Sequence, residues 1–192
     1  MQEIEIEYKV LLSKEQYELL ATSLPFPKTP ITQVNHYFET EDFALKAQLS
    51  ALRIREKEGK YFLTLKEVQE EGILETHDEL NKEEFMSWLN GQPRPKEHTA
   101  KRLERLKIDI VKLKYFGSLT TERKTFSKDD LHYFLDKSIY HDTVDYELEI
   151  EAPNKEVGLQ VFESILEKYQ IEKKKPITKI ERFFTSLIEN KH

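Results

Sequence analysis

Charged and apolar residues alternate strictly from Glu3 to Val10. Because successive side chains of a β-strand point to opposite faces, this period predicts a strand with one charged and one apolar face. A second alternating run, from Tyr146 to Glu151, again places three carboxylates on one face. The two runs predict similar amphipathic strands near the two ends of the chain.

A segment with helical periodicity follows each of these two strands. The first helix is predicted to begin at a Ser and a Gln that have the spacing of a capping box. The second carries apolar residues at helical spacing. This recurrence indicates a degenerate strand-helix repeat over residues 3–24 and 146–169, and we expect both copies to belong to one domain that spans residues 1–192.

The sequence between the two repeats predicts the remaining strands. Alternating runs separated by turn residues are typical of hairpins, and one hairpin is predicted around Gly59. Helices are expected near Asn81 and over residues 97–107, and a last helix is expected after Thr178. Residues 41–48 are expected to form a loop or a turn. The further strands are predicted at residues 32–40, 51–56, 61–66, 73–80, 114–126 and 131–137.

Charged side chains share one face of the predicted strands, and apolar side chains take the other. Since the predicted helices would cover the apolar face, the charged face would point inward or into a groove. A closed sheet would then enclose a hydrated tunnel lined by both signs of charge, whereas the alternative is an open sheet with ion pairs on a wet face. The charged-face positions are Glu5, Glu7, Lys9, Arg53, Arg55, Lys66, Glu79, Arg123, Asp136, Glu147 and Glu149.

Composition narrows the class of protein to which this pattern belongs. The 192 residues are enough for one domain with a sizeable core, and 34% of them are charged. The absence of cysteine fits a reducing compartment, and no apolar run reaches the roughly 20 residues that cross a bilayer. We therefore expect a cytoplasmic protein that does not bind membranes. The formal net charge of -6 argues against general nucleic-acid binding.

The residue types on the charged face suit a narrow range of chemistry. Arginines and lysines at alternate strand positions suit a polyanion with several phosphoryl groups. Carboxylates in Glu-x-Glu pairs suit hard divalent cations such as Mg²⁺ or Mn²⁺. The combination indicates metal-assisted phosphoryl transfer, and the sequence has no Gly-x-x-x-x-Gly-Lys loop of the P-loop enzymes.

These motifs, in chain order and over nearly the whole sequence, resemble the CYTH family, also called the triphosphate tunnel metalloenzymes. The overall pattern is most similar to the small bacillus-type members. Arg123 fits a later basic strand of the family, and Asp136 fits its Leu-Asp position. The other matching motifs are Glu5-Ile6-Glu7-Tyr8-Lys9, Tyr37-Phe38-Glu39-Thr40, Leu52-Arg53-Ile54-Arg55, Thr64-Leu65-Lys66, Glu147-Leu148-Glu149 and Thr178-Lys179-Ile180-Glu181-Arg182.

The resemblance implies an α+β fold, in which a closed eight-stranded antiparallel β-barrel forms a charged tunnel and helices lie at its periphery. It also implies a small-molecule triphosphate as the bound partner and Mg²⁺ or Mn²⁺ as the cofactor. The implied phosphate-binding residues are Lys9, Arg53, Arg55, Lys66, Arg123, Lys179 and Arg182. The implied metal ligands are Glu5, Glu7, Glu79, Asp136, Glu147 and Glu149. Lys66, Tyr37 and Lys9 are the implied catalytic residues.

The sequence departs from the family pattern at two positions and leaves a third feature open. Glu39 replaces the usual Asp, and His77 stands where many members have Arg. The late acidic strand presents either Glu147 and Glu149 or Glu149 and Glu151 as its functional pair. Lys179 and Arg182 lie three residues apart on one helix face, so simple solvation on that face is an alternative to a site role.

Three functions agree with these observations. The first is a metal-dependent hydrolase of inorganic or organic triphosphates. The second, which the resemblance also allows, is an adenylyl cyclase of the class IV type that makes cyclic AMP from ATP. The third is a polyphosphate-binding module without turnover. The sequence leaves open the organic substituent on the triphosphate and whether the protein is a monomer or a homodimer.

Overall fold

Alternating residues form eight β-strands within residues 1–174 and 177–189, the part of the chain that the computed structural model describes. The strands are β1 (Gln2–Leu12), β2 (Ile31–Glu39), β3 (Ser50–Lys57), β4 (Lys60–Val68), β5 (Ile73–Leu80), β6 (Lys114–Lys128), β7 (Leu131–Tyr140) and β8 (Thr143–Ala152). They form a closed barrel in the order β1-β5-β4-β3-β2-β6-β7-β8, with antiparallel pairing. The predicted barrel is confirmed.

Six α-helices accompany these strands in the same described residues. They are α1 (Lys14–Ser23), α2 (Ala44–Ala47), α3 (Lys82–Leu89), α4 (Glu97–Arg105), α5 (Lys155–Lys168) and α6 (Lys179–Glu189), and a 3₁₀ turn covers Ile110–Lys112. None of the described helices is long and apolar enough to cross a bilayer.

The short helix α2 lies where the sequence predicted a loop or turn. The carboxylate of Glu39 accepts hydrogen bonds from the backbone N–H groups of Thr40 (2.7 Å), Leu45 (3.0 Å) and Lys46 (3.0 Å). A carboxylate satisfies the free N–H groups at a helix start, so the Glu that replaces the family's Asp stabilises α2.

The described chain divides into two compact units, each assembled from segments that are distant in sequence. Unit 1 contains Met1–Glu5 and Gln33–Leu119. Unit 2 contains Ile6–Thr32 and the described residues from Thr120 onward. The single domain that the sequence predicts stays a prediction.

In unit 1, the apolar side chains of β3, β4 and β5 pack against α3 and α4. Polar contacts fix α4 in place: Thr99 donates its backbone N–H (2.7 Å) and its hydroxyl (2.8 Å) to Asp78, and Arg102 donates two hydrogen bonds to Glu67 (2.8 and 2.7 Å). The buried apolar residues include Leu52, Ile54, Leu63, Leu65, Leu80, Phe85, Trp88 and Leu103. Alternate side chains of the same strands therefore point away from this core.

In unit 2, α1 and α5 cover the apolar side chains of β1, β7 and β8. Helix α5 lies so close to the strands that a Cβ at Gly158 would be 2.6 Å from a ring atom of Tyr8 and 2.7 Å from Cβ of Ala152. Glycine is therefore required at this contact. The buried core includes Val10, Leu20, Leu135, Leu148, Ile150, Phe162 and Leu166.

Candidate functional site

Unit 1 contains a set of charged side chains on the strand face opposite its apolar core. The strand register places Lys66 of β4 directly opposite Glu75 of β5. Lys66 Nζ forms an ion pair with Glu75 and lies 3.2 Å from Oε2 of Glu5. We call Glu5, Arg53, Lys66, Glu75 and His77 the Lys66 cluster.

Glu75 is the most deeply buried acid of the Lys66 cluster, with 3% of its side chain exposed. Burial raises the pKa of this carboxyl, but the charges of Lys66 and Arg53 outweigh burial and lower the pKa to about 2. Glu75 is therefore a carboxylate over the whole physiological pH range.

His77 belongs to the same face of β5 and is fully hydrogen-bonded. Its Nδ1 lies 2.9 Å from the hydroxyl of Thr64, and its Nε2 lies 3.1 Å from Glu3 and 3.3 Å from Glu75. Burial lowers the pKa of His77, although Glu75 and Glu3 oppose this effect. The imidazole therefore favours the neutral form more strongly than a solvated histidine does.

The two arginines of β3 differ in their contacts within unit 1. Arg55 donates its Nε–H to Oδ1 of Asn35 at 3.1 Å. Nε of Arg53 is buried and has no hydrogen-bond partner among the described residues. Tyr37 of β2 is buried and lies opposite Arg53 in the strand register. Arg53 therefore has donor capacity that no described residue uses, and a buried donor of this kind favours an anion.

Unit 2 contains a denser charged set, on β1, β6, β7, β8 and α6. The register places Arg123 opposite Asp136, and Asp136 opposite Glu147. Lys9 of β1 lies opposite Glu149 of β8. We define the Lys179 cluster as the following residues: Lys9, Arg123, Asp136, Glu147, Glu149, Lys179 and Arg182.

Asp136 is the central acid of the Lys179 cluster. Arg123 donates two hydrogen bonds to it, from Nε (2.8 Å) and Nη2 (2.7 Å), and Lys179 Nζ lies 2.9 Å from Oδ2. Burial raises the pKa of Asp136, but the charges of Arg123 and Lys179 outweigh burial, so the pKa lies below its ordinary value. The same pairing raises the pKa of Lys179 and of Arg123 against the opposing effect of burial.

Helix α6 brings two cations to the strands, and it begins after Thr178, as the sequence predicts. Glu181 accepts from the backbone N–H of Thr178 (2.8 Å), and the hydroxyl of Thr178 accepts from that of Glu181 (3.3 Å). Lys179 forms an ion pair with Glu147, and Arg182 donates to Glu147 at 2.9 Å. Lys179 and Arg182 are largely buried, so the alternative that they are simply solvated is wrong.

Arg182 and Lys9 connect the cluster to further acids of unit 2. Arg182 donates from Nε to Asp145 at 2.8 Å, and the hydroxyl of Tyr140 also donates to Asp145, at 2.7 Å. Lys9 forms an ion pair with Glu7 and lies 3.9 Å from Glu149. Burial lowers the pKa of Lys9, but these carboxylates outweigh burial and raise it.

Three acids of the Lys179 cluster have the composition and spacing of a metal site. Asp136, Glu147 and Glu149 each offer an oxygen, and these ligand atoms lie within 4.8 Å of one another. Three carboxylate oxygens are the donor set that Mg²⁺ and Mn²⁺ prefer, so the residues present fit a hard divalent cation. Of the two alternatives for the acidic strand, the structure brings Glu147 and Glu149 to this group.

Three acids on the strands differ from what the sequence predicted. Glu79, a predicted metal ligand, is exposed on β5 and lies opposite Phe62 in the register. Glu75 was not predicted, although it precedes His77 and Glu79 at the same two-residue spacing. Asp145 was also missed, although it continues the alternation of Glu147 and Glu149. Glu75 lies within the predicted strand 73–80, and Asp145 lies just before the run from Tyr146 to Glu151, so the two-residue period points to both acids.

This chain is similar in sequence to a known protein family and to a bacterial relative. The family model for the CYTH domain matches residues 3–184. YjbK of Bacillus subtilis (strain 168), whose name proposes a triphosphatase, is 42% identical over 184 residues, which make up 95% of each chain.

Two solved structures have the same fold as this chain. A crystal structure from Bacillus halodurans, described as that of a proposed adenylate cyclase, is 41% identical and has a TM-score of 0.91, over 95% of this chain and 98% of that chain. HpAC1 from Hippeastrum, a proposed adenylyl cyclase with a dominant triphosphatase activity, is 22% identical with a TM-score of 0.77, over 97% and 96% of the two chains. HpAC1 thus shares the fold. Because the family model covers nearly all of the sequence, the chain belongs to the CYTH family.

Proposed function

We propose that this protein hydrolyses inorganic or organic triphosphates and requires Mg²⁺ or Mn²⁺ to do so. The observation that carries the proposal is the Lys179 cluster, in which Asp136, Glu147 and Glu149 meet within 4.8 Å beside several basic side chains. Carboxylates repel a polyanion unless a cation intervenes, whereas basic side chains attract it. Membership of the CYTH family and the name of the Bacillus subtilis relative support the same function.

Asp136, Glu147 and Glu149 are the proposed metal ligands, and Glu5, Glu7 and Glu79 are proposed as further acidic ligands. A divalent cation bound by such carboxylates polarises phosphoryl oxygens and lowers the pKa of a bound water. The protein contributes fixed ligand positions, since Asp136 and Glu147 are held by hydrogen bonds from Arg123 and Arg182.

The basic residues of both clusters are the proposed phosphate ligands. Charge-assisted hydrogen bonds from arginine and lysine bind phosphoryl oxygens more strongly than neutral donors do. The buried Nε of Arg53 supports this role, because it has no partner among the described residues. The full proposed set is Lys9, Arg53, Arg55, Lys66, Arg123, Lys179 and Arg182.

Lys66, Tyr37 and Lys9 are the proposed catalytic residues. The amine of Lys66 would position or deprotonate the attacking water, together with the hydroxyl of Tyr37, or it would bind phosphate alone. The ion pair with Glu75 fixes the position of the Lys66 amine, and therefore supports positioning over proton abstraction.

A second candidate function is the cyclisation of ATP to cyclic AMP and pyrophosphate. The observation that favours it is the adenylate cyclase proposed for the Bacillus halodurans relative, which is 41% identical. The products distinguish the candidates, because a hydrolase releases orthophosphate from tripolyphosphate. We further propose that the protein acts in the cytoplasm as a monomer or a homodimer, and that its partner is the small-molecule substrate.

The test is an activity panel on the purified protein with tripolyphosphate, thiamine triphosphate and ATP, each with Mg²⁺, with Mn²⁺ and with a chelator. We expect orthophosphate release from tripolyphosphate that depends on the metal. Cyclic AMP and pyrophosphate from ATP would instead establish the cyclase. Saturable binding of tripolyphosphate without any product would indicate a binding module, and would overturn the proposal.

A further inference from the structure

The ammonium group of Lys179 already lies among the three proposed metal ligands. Its Nζ is 2.9 Å from Oδ2 of Asp136, 3.6 Å from Oε2 of Glu149, and in an ion pair with Oε1 of Glu147. These are the same three residues whose ligand oxygens lie within 4.8 Å of one another. A cation of this chain therefore contacts all three acids that fit a divalent metal.

The position of Lys179 differs from that of the other cations in unit 2. Arg123 contacts Asp136 and Glu149, and Arg182 contacts Glu147 and Asp145, so neither has ion pairs to all three proposed ligands. Of the basic residues described in unit 2, Lys179 is the one with ion pairs to all three proposed ligands. An ammonium group in contact with these three carboxylates would lie close to any metal ion that they bind, and the two cations would repel each other strongly.

We infer that Lys179 sets the metal affinity of this protein by competing with the divalent cation for Asp136, Glu147 and Glu149. This inference rests on the proposed function, because it takes these acids to be the metal ligands. In the absence of metal, Lys179 is one of the cations that balance these three buried carboxylates, which would otherwise be costly to bury together.

The competition has a direct consequence for metal binding. When a metal ion binds, the ammonium of Lys179 must leave the three carboxylates, and the lost ion pairs weaken the net affinity. A triphosphate offers Lys179 an alternative anionic partner, which agrees with its proposed role as a phosphate ligand. Lys179 is thus a residue that determines metal affinity.

The test measures Mn²⁺ binding directly, in full-length protein without any phosphate. Free Mn²⁺ is followed by electron paramagnetic resonance during titration of wild type, Lys179→Met and Lys179→Arg. We expect Lys179→Met to bind Mn²⁺ at least about tenfold more tightly than wild type, because a nearby like charge has been removed. Lys179→Arg keeps the charge and should bind at most as tightly as wild type.

The matched control is Lys137→Met, because Lys137 also lies in unit 2 and pairs with Glu122 at 3.0 Å, outside the Lys179 cluster. Its Mn²⁺ affinity should equal that of wild type. Equal or weaker binding by Lys179→Met than by wild type would overturn the inference.

A second readout covers the case in which Lys179→Met is too unstable for titration. The rise in melting temperature on adding Mn²⁺ should then be larger for Lys179→Gln than for wild type, and an equal or smaller rise would overturn the inference.

The proposed function and the proposed competition can fail independently of each other. Metal-dependent hydrolysis by wild type with no gain in Mn²⁺ affinity in Lys179→Met would overturn only the competition. Tighter Mn²⁺ binding by Lys179→Met with no hydrolysis by wild type would overturn only the function.

Discussion

The two compact units each carry a charged cluster, but they differ in how fully their cations are already paired. In unit 1, Nε of Arg53 has no described partner, and 23% of the Lys66 side chain is exposed. In unit 2, Lys179 contacts three acids, and 13% of its side chain is exposed. The Lys66 cluster therefore retains a spare donor in Nε of Arg53, whereas the Lys179 cluster is nearly neutralised from within.

This difference suggests a division of tasks between the units. Spare arginine donors in a partly buried setting bind phosphoryl oxygens without first breaking an ion pair. A dense group of buried carboxylates instead needs cations beside it, which here are side chains and, in the proposed function, a metal. We therefore expect substitution of Arg53 in the Lys66 cluster to affect substrate affinity first, and acid substitutions in the Lys179 cluster to affect turnover and metal requirement first.

The largest effect is expected from Glu149→Gln in unit 2. Losing this proposed metal ligand should lower kcat by about 100- to 1,000-fold and raise the Mn²⁺ concentration needed for half-maximal rate. The measurement is a rate titration in tripolyphosphate and Mn²⁺. Glu122→Gln, a half-exposed acid of the same unit, should retain wild-type kinetics. Wild-type turnover and metal dependence in Glu149→Gln would show that Glu149 is not a metal ligand.

Glu75→Gln in unit 1 should lower the free energy of unfolding by about 3 kcal/mol at neutral pH. The folded-state pKa of about 2 lies below the ordinary 4.5, so the stabilisation is present above pH 4.5 and is lost as the pH falls towards 2. Urea unfolding at several pH values should thus show a difference between wild type and variant that shrinks below pH 4.5.

The control for this pH dependence is Glu79→Gln, on the same strand and the same face but exposed. It should change stability by less than about 0.5 kcal/mol. A difference between wild type and Glu75→Gln that stayed constant from neutral pH to pH 3 would contradict the assigned role of the Glu75 ion pairs.

Arg53→Ala should raise the KM for tripolyphosphate about 10- to 100-fold, because one charge-assisted contact is lost. Its effect on kcat should be smaller, and excess Mn²⁺ should not restore binding. Steady-state kinetics at two Mn²⁺ concentrations measure both quantities. Arg94→Ala removes an exposed arginine of unit 1 that pairs with Glu83, and it should leave KM unchanged. If Mn²⁺ rescued Arg53→Ala, the division between the two clusters would be wrong.

The smallest effects are expected from one helix cap in each unit. Ser13 caps α1 in unit 2 and Asn81 caps α3 in unit 1, each in a capping box. Ser13→Ala and Asn81→Ala should each cost about 1 kcal/mol. If residues 1–192 form one domain, both variants should shift the same cooperative transition in thermal unfolding. Two transitions, each moved by only one variant, would contradict the single domain.

Local pattern along the chain determines much of this fold. The two-residue period from Glu3 to Val10 and from Tyr146 to Glu151 predicts both strands and the shared face of their acids. The capping pairs at Ser13 and Asn81 predict the starts of two helices. These features depend on neighbours at most a few residues away, so the sequence contains all the information that they need.

Two acids of one strand show what the local sequence pattern does not predict. Glu75 and Glu79 share a face of β5, yet Glu75 is buried against Lys66 and Glu79 is exposed. The two-residue period of the strand alone does not distinguish the buried acid from the exposed one. The difference arises because the strand register sets Glu75 opposite Lys66 and Glu79 opposite Phe62, and register joins residues that are distant in sequence.

The sequence alone therefore determines which face of a strand carries the charged side chains, because side-chain direction in a strand follows from backbone geometry. Only the tertiary structure decides which charged side chains contact one another. Lys179 lies 32 residues beyond Glu147 in the chain, and only the packing of α6 brings its ammonium to that carboxylate. On a solvated helix face the same lysine would be an ordinary surface residue. Burial beside three acids instead makes it part of a charged network, and the proposed competition with a metal rests on this arrangement.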